Sequence, residues 1–110
     1  MIIILDRKIT EDELAKARED YEDYIKIVAD VDKSILAVGG EFHIDAEEIL
    51  IKSGSRQDSL YGGGYRPSTK AVEYMAMSNY KPALGKNTYE VMDEKVRNKL
   101  YKLVKEFLEL

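Results

Sequence analysis

The stretch IKIVADVDKSILAVGG, residues 25–40, decides the fold. Ile25, Ile27, Ala29 and Val31 recur at a spacing of two, the pattern of a strand that turns one face to a core. Asp32, Lys33 and Ser34 suit a turn, Ile35 to Val38 resume an apolar run, and Gly39-Gly40 ends it. Residues 26–38 therefore read as a β-hairpin, which makes these two strands antiparallel.

Upstream, Ile2 to Leu5 form a β-branched run suited to an edge or first strand. Thr10 opens a helix, because the T-x-x-E pair Thr10 and Glu13 satisfies two free amides reciprocally. Leu14, Ala17, Tyr21 and Tyr24 follow at helical spacing. The period changes to two near Tyr24, so the first helix is expected to end there.

Downstream, GGEFHIDAEEI (residues 39–49) gathers four carboxylates and the only histidine. With Asp45 as N-cap, Glu48 completes a D-x-x-E box and Ile44 and Ile49 form a hydrophobic staple. Gly54 suits the position just past the end of that helix. Residues 60–66 (LYGGGYR) and 71–80 (AVEYMAMSNY) read as a second hairpin, with Gly62-Gly63-Gly64 as a flexible hairpin segment or a bulge. In its second arm Val72, Tyr74, Ala76, Ser78 and Tyr80 share one face and Met75 and Met77 the other, so a central strand is expected. Pro82 and Gly85 break the chain, and Asp93 caps a last helix whose Val96, Leu100, Leu103, Phe107 and Leu110 make an apolar stripe.

The order β-α-β-β-α-β-β-α predicts an α+β fold. It implies one domain over residues 1–110, a mostly antiparallel sheet of about five strands, and the first and last helices packed on one face. A hydrophobic content of 45% against 35% charged residues is a globular balance. The apolar opening MIIIL is far too short for a signal peptide or a membrane span, which points to a cytoplasmic protein without a membrane partner. A single Gln and no Cys beside abundant Glu, Lys and Ile accord with a thermophilic source. The absence of Cys removes thiolate chemistry and Cys-based metal sites.

Three constellations carry possible chemistry. Glu41, His43 and Asp45 alternate, and on an extended segment they would present two carboxylates and an imidazole to a divalent cation such as Mg²⁺ or Mn²⁺, the basis of a metal-dependent hydrolase reading. Against it, one histidine is a poor ligand set and Asp45 already has a capping role. The glycine triplet lacks the flanking strand and helix of a phosphate loop. Residues 66–87 carry four cations against one carboxylate in a chain of net charge −4. With Tyr61, Tyr65, Arg66, Lys70, Tyr74, Tyr80, Lys81 and Lys86 this segment offers a single-stranded nucleic-acid surface, although tyrosine is also an ordinary sheet residue.

GGEFHIDAEE (39–48), GSRQDSLYG (54–62), NYKPALG (79–85) and the helix after Asp93 together resemble a family of small prokaryotic proteins catalogued as a domain of unknown function. Gly39, Gly40, Glu41, His43, Asp45, Ala46, Glu47, Gly54, Ser55, Gly62, Asn79 and Pro82 match the family's motifs. Tyr61 stands where the family favours Trp, and Lys81 where it favours Arg, whose two-pronged guanidinium Lys cannot reproduce. The resemblance implies a fold and a site region and no activity, catalytic residue or cofactor. The favoured reading is a binding or protein-interaction module, with a protein partner or self-association as a homodimer expected, and with a ligand set of Glu41, His43, Tyr61, Asn79 and Lys81 where the 39–45 segment meets the 79–86 loop.

Overall fold

The hairpin lies in the middle of the sheet. Strands β2 (Ile25–Asp30) and β3 (Ile35–Gly39) pair antiparallel with Ile27 opposite Val38 and Asp30 opposite Ile35. The buried Asp30 carboxylate holds their turn by accepting the amides of Asp32 and Lys33, both at 3.0 Å, and Ser34 takes the left-handed conformation at φ 55°. Strand β1 (Ile2–Leu5) adds antiparallel to β3. Strand β4 (Leu60–Arg66) pairs with β2, and β5 (Ala71–Glu73) pairs with β4, giving the order β1-β3-β2-β4-β5. The computed structural model describes all 110 residues.

Helices α1 (Glu11–Ala17) and α3 (Glu94–Leu108) pack on one face of this sheet, as the apolar periodicity implies. Leu100, Leu103, Val104, Phe107 and Leu108 of α3 meet Ile25, Ile27, Leu36 and Val38 in the larger core. Burial of each such side chain contributes about 1.5–3 kcal/mol before entropy is counted. Helix α2 (His43–Lys52) takes the opposite face, so helices cover both faces rather than one. Its Ala46 and Leu50 join Val28, Ala37 and Leu60 there. No helix is long and apolar enough to cross a membrane.

Local signals hold at several helix ends. Thr10 and Glu13 make the reciprocal capping box, and the Asp93 carboxylate accepts the amides of Lys95 and Val96. Gly54 follows α2 at φ 106°.

Four expectations are corrected. Helix α1 stops at Ala17 rather than near Tyr24. Asp20 instead accepts the Gly40 amide at 3.1 Å and the terminal ammonium at 3.2 Å, which draws the chain out of helix and across to β2. Asp45 does not cap α2: the helix begins at His43, the N-cap Phe42 supplies no side-chain bond, and Asp45 lies in the first turn, where its charge suits the helix dipole. Glu48, freed of a capping role, pairs with Lys52 at 3.3 Å.

The glycine triplet is no bulge. It runs through β4 in unbroken register, with Gly62, Gly63 and Gly64 opposite Val28, Ile27 and Lys26. The 71–80 arm is not a central strand either, since β5 is a three-residue edge. Beyond Glu73 the extended chain leaves β4 and pairs with residues 89–91, through the Val91 amide to the Tyr74 carbonyl at 2.8 Å and the Ala76 amide to the Tyr89 carbonyl at 3.1 Å.

Candidate functional site

Because side chains alternate along a strand, Gly62 and Gly64 face the α2 side of the sheet and present no side chain to it. Other parts of the chain close onto the space. A methyl on Gly62 would lie 2.7 Å from the Ala76 methyl, 3.1 Å from Ser78 Oγ and 3.2 Å from the His43 ring. A methyl on Gly64 would lie 2.1 Å from the Tyr24 hydroxyl. Between these groups a cleft of about 680 Å³ opens on the part of the sheet face that α2 leaves uncovered.

One wall comes from the start of α2 and the other from residues 75–81. Phe42 and Ile44 from the first, and Met75 and Met77 from the second, form an apolar rim, with Met77 79% exposed and Phe42 59% exposed. The walls are tied together beneath the rim. Lys81 Nζ lies 3.1 Å from Glu47 Oε2, with side chains 8% and 2% exposed, and donates further to the Leu60 carbonyl at 3.4 Å. Asn79 acts like a short strand: its amide donates to the Gly62 and Tyr89 carbonyls, each at 3.0 Å, and its oxygen accepts the Gly62 amide at 2.7 Å. That side chain takes over where β5 leaves β4.

The polar groups of the cleft differ in how fully they are used. His43 Nε2 lies 2.6 Å from the Gly63 carbonyl, which only accepts, so this nitrogen carries the hydrogen. Burial pushes the pKa of the ring below its ordinary 6.5, and Lys26 nearby adds to the effect. The imidazole is therefore neutral at pH 7. Ser78 Oγ is buried and has no hydrogen-bond partner. Lys26 has no carboxylate partner, and its ammonium stands 5.2 and 5.9 Å from the ring centres of Tyr21 and Tyr24.

A second, smaller cleft of about 350 Å³ lies beside the start of α3 and is lined by Tyr61, Asn79, Lys86 and Asp93. Its lysine is occupied. Lys86 Nζ sits 3.9 Å from the Tyr61 ring centre and donates to the Asp58 carbonyl at 2.8 Å. Burial, with Lys81 next to it, lowers the pKa of this amine.

The five residues expected to share a ligand are thus divided. His43 and Lys81 line the larger cleft, Tyr61 and Asn79 line the smaller one, and Glu41 lines neither. Glu41 is exposed, and its backbone carbonyl accepts the Tyr21 hydroxyl at 2.8 Å. Glu41, His43 and Asp45 form no metal cradle, and no group of three His, Asp or Glu side chains comes together to hold an ion.

The basic tyrosine set is dispersed too. Tyr65 is buried in the larger core, Lys81 is paired inside, and Tyr74 lies 4.3 Å beneath the Arg97 guanidinium. Sequence reading passed over Tyr24, Lys26, Phe42, Ile44 and Ser78 as site residues. The one available signal was the Met75 and Met77 pair alternating with small residues, which marks an apolar side on an otherwise half-polar segment.

Compared with known families, residues 3–107 match the family described as "Protein of unknown function (DUF5674)", and the chain belongs to it. No curated protein and no solved structure matches the chain.

Proposed function

Membership of a family of unknown function assigns no activity, and on geometry we propose that this protein is a binding module. In this reading the cleft between the start of α2 and residues 75–81 receives the apolar body of a small ligand. One observation carries it: exposed Phe42, Ile44, Met75 and Met77 surround a cleft of about 680 Å³ that the rest of the chain leaves open. That volume falls within the range of small-molecule pockets, and unbranched methionine side chains adapt to varied apolar shapes.

A catalytic role has less support. Lys81 and Glu47 satisfy each other, and His43 Nε2 is committed to a backbone carbonyl. Ser78 Oγ and the His43 ring both border Gly62, yet no hydrogen bond joins them as a nucleophile and base would require.

Titration with Nile red, a neutral dye that brightens in apolar surroundings, tests the reading. We expect saturable one-to-one uptake that Phe42→Ser and Met77→Glu each weaken, while Ile4→Ser on β1 leaves it unchanged. Unsaturable uptake, or uptake indifferent to the rim substitutions, would overturn it. So would a stable dimer that protects Phe42 and Met77, since a second copy of the chain would then be the occupant of the rim.

A further inference from the structure

We infer that the ligand of this cleft is a small amphipathic acid, its carboxylate held by Lys26 and its aliphatic or aromatic body lying against Met75, Met77 and Phe42. The inference rests on the binding reading above and gives the ligand its polar end. Three observations support it.

The first is the charge of the lining. Lys26 and Lys81 contribute two ammoniums against the single carboxylate of Glu47, and His43 is neutral at pH 7, so the lining carries one excess positive charge. The chain as a whole carries −4. A positive recess in an acidic protein selects for anions over the background field.

The second is which cation is free. Lys81 is nine-tenths buried and tied to Glu47 and two backbone carbonyls. Lys26 is half-buried and lies over two tyrosine rings, with no acidic side chain against it. An ammonium on an apolar shelf, unpaired and partly desolvated, gains more from an arriving carboxylate than a fully hydrated one does.

The third is size. A recess of about 680 Å³ suits a ligand of drug-like dimensions.

The test compares 4-phenylbutyrate with 4-phenylbutanol, which share a skeleton and differ at the charged end. Each is titrated into the full chain by NMR and, separately, used to displace Nile red. The acid is expected to bind about three- to tenfold more tightly than the alcohol at low ionic strength, an advantage that shrinks in high salt. Lys26→Met should erase the advantage, and Lys26→Arg should keep it. Equal affinity for acid and alcohol, or an acid preference that survives Lys26→Met, would overturn the inference alone. Failure of Nile red uptake in the unaltered protein would overturn the cleft reading on which it rests.

Discussion

Lys81 and Glu47 meet at 3.1 Å with almost no access to water, one from the segment after Asn79 and the other from the middle of α2. They fasten one wall of the cleft to the other. Removing a single partner strands a buried charge, so Lys81→Met should cost about 3–5 kcal/mol. The double replacement Glu47→Leu with Lys81→Met should recover most of the loss, because a buried pair and an apolar pair of similar volume differ little. Urea unfolding of the three variants checks this. A single-variant cost below about 1 kcal/mol would mean that the pair behaves like an exposed one.

The glycines of β4 predict a graded response to added methyl groups. On Gly63 a methyl would meet the Glu73 backbone oxygen at 2.2 Å, and backbone cannot step aside without detaching β5. On Gly64 it would meet the Tyr24 side chain at a similar distance, and a side chain can rotate away. Gly63→Ala should therefore be the more destabilising, at the upper end of the roughly 1–3 kcal/mol typical of overpacking. Tyr24→Ala should rescue Gly64→Ala and do nothing for Gly63→Ala, as thermal unfolding of the paired variants will register.

His43 makes stability depend on pH in a defined direction. Its folded pKa lies below 6.5, chiefly through burial, so beneath that pH the unfolded chain takes up a proton that the folded chain resists. Stability is therefore complete above 6.5, declines as the pH falls, and levels off once the folded ring also protonates. The carboxylates act lower. Glu13, held at about 2 by Arg7 and the Thr10 amide, loses its contribution only as the pH falls below 4.5. His43→Gln should flatten the slope between pH 6.5 and 4.5 and preserve the steeper acid limb. An unchanged slope in that variant would show that another group is responsible.

Ser78 tests the cost of an unpartnered hydroxyl inside the fold. Deleting a buried hydroxyl without a partner leaves nothing unsatisfied, so Ser78→Ala should match or slightly exceed the parent in unfolding midpoint. A loss of about 1 kcal/mol in stability would reveal a bond made by this hydroxyl within the folded chain.

The features legible in the sequence are those set within a few residues. The Thr10 box, the hairpin turn at Asp30 to Ser34, Gly54 and the Asp93 cap each depend on neighbours in the chain, and the stripe of α3 is long enough to name its own face. Helix α2 shows where that logic ends. Asp45 offers a good local cap, yet contacts made from His43 to β4 and from Ala46 and Leu50 to the sheet start the helix earlier. Residues 74–76 do form extended pairings, as their alternation implies, but with residues 89–91, a partner that periodicity does not specify. The cleft was hidden for the same reason: Lys26, Phe42 and Met77 come from three separate regions and share no motif.

Asn79 also bears on how the molecule behaves in a crowd. A sheet whose outer strand stops after three residues leaves the next stretch of β4 as an open template on which a neighbouring polypeptide could add itself. One carboxamide, engaged with both the amide and the carbonyl of Gly62, occupies that template from within the same chain. A single side chain thereby covers this stretch of β4, leaving the outer sides of the two short edge strands, Ile2–Leu5 and Ala71–Glu73, as the places where the sheet can be extended.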